Sequence, residues 1–293
     1  MPSPAPSSDA RPLGELLDAG AAWLEARGVD EAAAQCAWLA ARLLRQPRLQ
    51  LALQRDRRLD EGQIDALRRG IVRLGNHEPI QYVLGEWDFR GLTLAVDRRA
   101  LIPRPETEQL VQLVLDQKAL WEAHAPRICE VGTGSGCIVV SLAVEAPLGD
   151  YLATDCDADA LSLARENAAR HGVAGRITFL HAPSCAPAPP ASLDAVVSNP
   201  PYIATDTCTR LPRRIRDFEP PGALDGGADG LAILRDVIHD AALRLKRQGW
   251  CFLEIGADQG PAVRALLLQA GFASAEIRRD LAGHDRLACG RMP

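Results

Sequence analysis

Apolar residues recur with helical period from Leu13 to about Gly75: Leu13, Leu16, Leu17 and Leu24, then Cys36, Ala37, Ala40, Leu43 and Leu44, then Ile64, Leu67, Ile71 and Leu74. Each set lines one face of a helix and leaves the other polar, so residues 13–80 read as a small helical bundle. Asp30 is placed to cap the second helix, and Asp60 followed by Gln63 makes a capping-box start for the last. After Pro79 the period shortens to two. The stretch GEWDFRGLTLAV alternates and turns at Arg90-Gly91, which predicts a β-hairpin, and residues 81–99 read as a hairpin linker between two domains.

From Arg127 onward short β runs alternate with longer helical ones. RICEV precedes a helix from Cys137 to Glu145, and YLAT precedes one from Ala158 to His171. ITFL and LDAVVS follow, then a helix from about Gly230 to Arg247, the strand WCFLEIG and a helix from Pro261 to Ala270. Strands alternating with helices predict a parallel sheet with right-handed crossovers. The last two strands, SAEIRRD and DRLACGR, are only a short turn apart and must pair antiparallel. Residues 100–293 are therefore expected to form an α/β domain, a doubly wound, mostly parallel sheet with an antiparallel last strand.

Composition narrows the class. Hydrophobic residues at 47% and charged residues at 24% of 293 suit a globular chain and exclude a disordered, collagen-like or disulfide-scaffold one. No uncharged apolar run reaches the ~18 residues of a membrane span, and the most apolar stretch, Ile138 to Val144, stops at Glu145. Residues 1–12, MPSPAPSSDARP, have no apolar signal region and read as a disordered leader, with the cytoplasm as the expected compartment. The eight cysteines are widely spread without a C-x-x-C pair, which suits reduced, mostly buried thiols and gives no expectation of a metal site.

Charge is uneven. Lys and Arg number 33 against 38 Asp and Glu, a net −5, the wrong sign for bulk binding of nucleic acid. The first hundred residues balance at 14 and 14, yet between Arg42 and Arg73 nine arginines face four acids. That stretch reads either as solvated helix faces or as a docking surface for an acidic or RNA-like partner. Residues 101–293 hold 19 basic and 24 acidic groups and carry the whole deficit.

Two motifs carry candidate chemistry. Gly132, Thr133, Gly134, Ser135 and Gly136 follow the first strand of the α/β region and open a helix. Such a turn brings free helix amides close to a ligand and serves dinucleotides and S-adenosylmethionine alike; the G-x-G-x-G spacing favours the second. Asp155 ends the next strand, 23 residues after Gly132, where a carboxylate can accept from both ribose hydroxyls. At the end of the fourth strand stand Asn199, Pro200, Pro201 and Tyr202. Ligands of an open α/β sheet collect beyond the carboxyl ends of its strands, so both motifs should face one crevice. Consecutive prolines offer only carbonyls. A planar –NH2 could donate one hydrogen to the Asn199 side-chain carbonyl and one to the Pro200 carbonyl, with Tyr202 against its π face. Only a conjugated amine fits, and positioning with electrostatics would suffice for its alkylation, without a histidine base or metal.

A doubly wound sheet ending in one antiparallel strand is the arrangement of class I S-adenosylmethionine-dependent methyltransferases. Over nearly its whole length the chain resembles the peptide chain release factor N5-glutamine methyltransferase family. Similar stretches are His77-Glu78-Pro79-Ile80-Gln81-Tyr82, Gly85-Glu86-Trp87-Asp88-Phe89, Leu101-Ile102-Pro103-Arg104-Pro105-Glu106-Thr107-Glu108, the glycine loop, the Asn-Pro-Pro-Tyr segment, Phe218-Glu219-Pro220, Asp225-Gly226-Gly227 with Asp229-Gly230-Leu231, and Leu253-Glu254-Ile255-Gly256. The resemblance implies S-adenosylmethionine as cofactor. The implied substrate is the glutamine of the Gly-Gly-Gln motif in bacterial class 1 release factors, docked with help from the N-terminal bundle. It implies catalysis by Asn199, Pro200 and Tyr202, with substrate also touching Pro201, and cofactor contacts from Gly132 to Gly136, Asp155, Ser184 and Asn199.

One stretch departs from the family. Where it usually has an acidic residue and a large aromatic one after the third strand, this chain reads His181-Ala182-Pro183-Ser184-Cys185, with Pro183 and Ser184 in their places. The loss of one hydrogen bond to the adenine amino group would weaken cofactor binding by ~1–2 kcal/mol without abolishing it. A monomer is expected. The alternatives are a glutamine methyltransferase of a ribosomal protein, a DNA adenine-N6 methyltransferase, which should carry a basic target-recognition segment and flip its base, and an inactive cofactor-binding adaptor, which intact Asn199 and Tyr202 argue against.

Overall fold

The computed structural model describes residues 10–122 and 125–293. The leader expected over residues 1–12 lies outside the described residues as far as position 9. Its last residues depart from the expectation: Ala10 is buried and Arg11–Pro12 pair antiparallel with Arg58–Leu59. The Arg58 guanidinium donates to the Ala10 carbonyl at 2.6 Å, and Leu13 N donates to the Arg57 carbonyl at 2.8 Å, which fixes the chain before the first helix. The molecule divides into two compact units, one running to Gly85 and including Arg213–Phe218, the other comprising Glu86–Pro212 and Glu219–Pro293.

In the first unit α1 (Leu13–Glu25), α2 (Ala32–Leu44) and α3 (Glu61–Gly75) bury the periodic residues around Leu13, Leu24, Cys36, Ala40, Leu67 and Leu74. Asp60 and Gln63 form the reciprocal capping box: Gln63 N donates to Asp60 Oδ1 at 2.8 Å and Asp60 N to Gln63 Oε1 at 3.2 Å. Asp30 does not cap α2. Glu31, at φ 52°, is the residue that enters the helix, and the Asp30 carboxylate pairs instead with Arg214 of the same unit at 2.9 Å. Two further elements lack a readable period, the 3₁₀ turn Arg48–Gln54 and α4 (Ile80–Leu84). The latter occupies part of the stretch expected to be hairpin, because Pro79 precedes it and Gly85, at φ 75°, ends it.

The hairpin is narrower than 81–99 and belongs to the second unit: β1 (Glu86–Phe89) and β2 (Leu92–Ala95) join through Arg90 and Gly91 at φ 48° and 74°, a two-residue turn matched to strand twist. Then follow α5 (Pro105–Leu115), β3 (Arg127–Val131), α6 (Cys137–Glu145), β4 (Asp150–Asp155), α7 (Ala158–Arg170), β5 (Ile177–His181), β6 (Leu193–Ser198), α8 (Ala232–Arg244), β7 (Leu245–Glu254), α9 (Gly260–Gln269), β8 (Ser274–Arg279) and β9 (Asp285–Arg291). The sheet order is β8-β9-β7-β6-β3-β4-β5, with β3 to β7 mutually parallel and β9 antiparallel to both neighbours. Successive residues of the central strands enter opposite cores. Ile128, Ala195, Val197 and Phe252 pack on the face of α5 and α6, while Cys129, Val196, Cys251 and Leu253 pack on the face of α8 and α9. Burial on both faces explains why these strands read as continuous apolar runs. The hairpin is held by Asn167 of α7, whose Oδ1 accepts from Ala95 N at 2.7 Å while its Nδ2 donates to the Ala95 and Ser135 carbonyls. Among the described residues no helix is long and apolar enough to cross a membrane.

Gly75 tests how tightly the bundle is packed. A Cβ there would lie 2.2 Å from the Trp23 ring. Helix propensity favours Ala over Gly by about 1 kcal/mol, but overpacking costs about 1–3 kcal/mol. Gly75→Ala is expected to destabilise the protein by about 1–2 kcal/mol in chemical denaturation.

Candidate active site

The glycine loop is pinned to the end of β4: Gly132 N and Thr133 N both donate to the Thr154 carbonyl, at 2.9 and 3.0 Å. Gly132, Gly134 and Gly136 all have positive φ, at 71°, 54° and 79°, a region that side chains with a Cβ avoid. Beside Gly132 a Cβ would meet nothing within 4 Å, so the loop leaves room for a ligand. Thr133 and Ser135 are buried, and Thr133 Oγ1 donates inward to Glu130 Oε2 at 2.6 Å. The loop thus offers backbone outward. Asp155 stands alongside, its Oδ2 accepting from Gly134 N at 2.8 Å and its Oδ1 from Asp157 N at 2.9 Å. A carboxylate has about four acceptor positions, and the Gly134, Asp157 and Cys156 amides leave part of that capacity for a hydroxyl. Burial pushes the Asp155 carboxyl up, and the Gly134 and Asp157 amides oppose that shift. An open glycine cradle and a carboxylate with acceptor capacity left fit a nucleoside with a free ribose edge. Asp157 caps α7 through Asp159 N at 2.8 Å.

The tetrapeptide follows β6 directly. Ser198 Oγ donates to the Val131 carbonyl at 2.7 Å, which joins the strand end before Asn199 to the strand end before Gly132. Asn199 Nδ2 donates to Thr107 Oγ1 at 3.1 Å, and Thr107 Oγ1 donates to Glu254 Oε2 at 2.7 Å. The Tyr202 hydroxyl donates to Glu254 Oε1 at 3.3 Å and accepts from Arg286 Nη1 at 3.2 Å. No described residue donates to Asn199 Oδ1 or to the Pro200 carbonyl. Two neighbouring acceptors are therefore open on the tetrapeptide.

Behind it, the Asp225-Gly226-Gly227 and Asp229-Gly230 turns come too close for side chains. A Cβ on Gly226 would lie 2.8 Å from the Pro201 carbonyl oxygen, and one on Gly230 would lie 2.5 Å from that of Tyr202. Gln259 donates to the Tyr202 and Gly230 carbonyls at 2.9 and 3.1 Å. Arg104 pairs with buried Glu219, which also accepts from Ile102 N at 3.2 Å, so the Ile-Pro-Arg and Phe-Glu-Pro stretches are bonded to each other.

The loop after β5 carries Ala182, Pro183 and Ser184. Ala182 N donates to the Asp155 carbonyl at 2.9 Å, which places the loop beside the carboxylate. Ser184 is buried, and its hydroxyl accepts from Ala186 N at 3.1 Å within its own turn. Thr107, Glu254, Arg286 and Gln259 carry no chemistry that the sequence alone assigns. Thr107 and Glu254 lie inside motifs already noted, whereas Arg286 and Gln259 lie outside any.

Glu130, under the glycine loop, is fully buried, and burial pushes its carboxyl up to about 8, against the pull of the Thr133 hydroxyl and Val139 N. A folded value above the ordinary 4.5 means that its contribution to stability is complete below that pH and is lost as pH rises toward about 8. Stability should fall by up to about 1.4 kcal/mol per pH unit across that window from this group. Glu130→Gln, which keeps the acceptor and removes the titration, is expected to flatten the fall in denaturation midpoints measured across it.

Two family models match the chain: a PrmC N-terminal domain over residues 15–85 and a methyltransferase small domain over residues 107–213. A release factor glutamine methyltransferase of Geobacter sulfurreducens is 34% identical over 95% of this chain and 96% of its own length. One of Cereibacter sphaeroides is 37% identical over 95% of this chain and 98% of its own. The fold is also that of a methyltransferase from Pyrococcus furiosus, with a TM-score of 0.51 at 16% identity over 69% of this chain and 90% of that one. Matched over 95% of its length by relatives of one name, on a sheet of the class I methyltransferase order, the chain belongs to the release factor glutamine methyltransferase family.

Proposed function

We propose that the protein transfers a methyl group from S-adenosylmethionine to the side-chain amide nitrogen, N5, of the glutamine in the Gly-Gly-Gln motif of bacterial class 1 release factors. The observation that carries this reading is the pair of open acceptors, Asn199 Oδ1 and the Pro200 carbonyl, on a turn bonded through Ser198 to the glycine loop.

S-adenosylmethionine supplies, when bound, an electrophilic methyl on its sulfonium. The backbone of Gly132 to Gly136 would cradle it, the Asp155 carboxylate would accept from its ribose hydroxyls, and Ser184 belongs to the loop that would lie beside the adenine. Pro183 gives that loop no carboxylate for the adenine amino group, so affinity is lower by ~1–2 kcal/mol than with one.

Asn199 Oδ1 and the Pro200 carbonyl each hold one hydrogen of the glutamine amide, and Tyr202, with Pro201 beside it, packs against the amide face. Held by both hydrogens, the nitrogen presents its π face, where the delocalised lone pair gains nucleophilicity as the centre pyramidalises. The N–C bond would form as the sulfonium S–CH3 bond breaks and leaves a neutral thioether, and the N-alkylated amide, which is strongly acidic, gives its proton to water directly or by way of the Pro200 or Asn199 acceptor, so no side-chain base is needed. The N-terminal unit, with the basic stretch from Arg42 to Arg73, docks the body of the release factor.

Incubation with labelled S-adenosylmethionine and, separately, a class 1 release factor, a ribosomal protein and duplex DNA should label only the Gly-Gly-Gln glutamine, read by mass spectrometry. Asn199→Ala is expected to lower kcat by about 100-fold or more; full activity in that variant would refute the acceptor geometry. Asp155→Ala is expected to raise the calorimetric Kd for S-adenosylmethionine by about 10- to 100-fold, the loss of hydrogen bonds to a charged group.

A further inference from the structure

An asparagine amide has nearly the same shape in its two orientations, so the group facing its inner edge decides whether oxygen or nitrogen faces out. Here that group is the Thr107 hydroxyl, which has one proton to give. Glu254 Oε2 lies 2.7 Å from Thr107 Oγ1, and an ionised carboxylate only accepts, so the proton points there. What Thr107 then shows Asn199, 3.1 Å away, is a lone pair, and only the NH2 end of the amide can meet it. The other Glu254 oxygen accepts from the Tyr202 hydroxyl at 3.3 Å, and Arg286 donates to that hydroxyl at 3.2 Å, so two donor chains, Arg286–Tyr202 and Asn199–Thr107, converge on the one carboxylate.

We propose that Glu254, acting through Thr107, is a positioning residue that locks the Asn199 amide with Oδ1 toward the substrate amine. Both groups are almost wholly buried, with exposures of 1% and 2%, so neither touches substrate. The proposal rests on the reading that Asn199 Oδ1 accepts an amide hydrogen of the glutamine. The lock is reversible in principle. A protonated Glu254 would donate to Thr107, whose own proton would turn to Asn199 and pair with Oδ1, leaving the NH2 group facing the substrate. The groups around Glu254 are Glu106 and Thr107 from α5, Cys137 from α6, Tyr202 from the tetrapeptide and Arg286 from β9. Burial raises its pKa first and Glu106 adds to that, while Thr107, Arg286 and Tyr202 oppose it, with a net rise. Acid should therefore switch the lock off at a pH above that of an ordinary glutamate.

The test compares wild type, Thr107→Val, Thr107→Ser and Glu254→Gln for kcat, KM and pH profile on a release factor. Thr107→Val keeps the shape and removes the hydroxyl; it should lower kcat by about 10-fold or more with the KM for S-adenosylmethionine changed by less than about 2-fold. Thr107→Ser should recover most of the rate, and Glu254→Gln should lower kcat and remove the acid limb of its profile. Wild-type kcat in Thr107→Val, or equal loss in Thr107→Ser, would overturn the proposal. If wild type itself methylates no release factor, the functional reading fails instead. The lock is then read directly by NMR: the Asn199 side-chain amide should give one protected NH2 pair in wild type and lose protection in Thr107→Val. Unchanged protection would overturn it.

Discussion

Val131 and Ser198 are partners in parallel register at the carboxyl ends of β3 and β6, and the Ser198 hydroxyl closes the pair on the Val131 carbonyl. The next residue of each strand begins a motif, Gly132 on one side and Asn199 on the other. Both strands are buried on both faces, so a slip of one residue would send Val196 and Val197 into the wrong cores. The packing that stabilises the sheet therefore also sets how far the glycine loop lies from the tetrapeptide. The same register extends to β4, where Thr154 is opposite Val131 and its carbonyl receives two loop amides. Asp155 is the residue after it. Three consecutive strand ends thus place the cradle, the carboxylate and the amide acceptors without any loop having to find its own position.

This dependence explains what was legible in the sequence. LDAVVS reads as a strand because every residue in it is buried, and contiguous motifs such as Asn-Pro-Pro-Tyr keep their chemistry within a few positions. The alternation of strands and helices then sets the order of strand ends. What could not be read depends on distance or on one dihedral angle. α4 has five residues, too few to show a period, and the 3₁₀ turn at Arg48–Gln54 exposes Leu49 and Leu53, so its apolar residues mark no face. Asp30 is a good capping residue in the wrong place, because the left-handed φ of Glu31 shifts the helix start by one. Thr107, Glu254 and Arg286 come from three separate elements, and only the fold brings them to the tetrapeptide.

Each motif stands on a buried glutamate that accepts a threonine hydroxyl, Glu130 from Thr133 and Glu254 from Thr107. Burying an ionised carboxylate costs several kcal/mol, and hydrogen bonds to charged groups return about 1.5–3 kcal/mol each. Burial dominates in both, since both carboxyls are pushed up despite their donors. Apolar residues of similar volume would have made a more stable core at either place. They could not have done what Glu254, when ionised, does to its neighbour, which is to fix the direction of a hydroxyl proton. Under the glycine loop Glu130 Oε2 receives both the Thr133 hydroxyl and Val139 N, which holds Thr133 inward and leaves backbone facing out. Behind the tetrapeptide Glu254 decides which end of an amide is exposed. A hydroxyl alone would be free to turn, and an amide beside it would turn as well, so the stability given up at Glu254 becomes orientation at the place where the proposed reaction needs it.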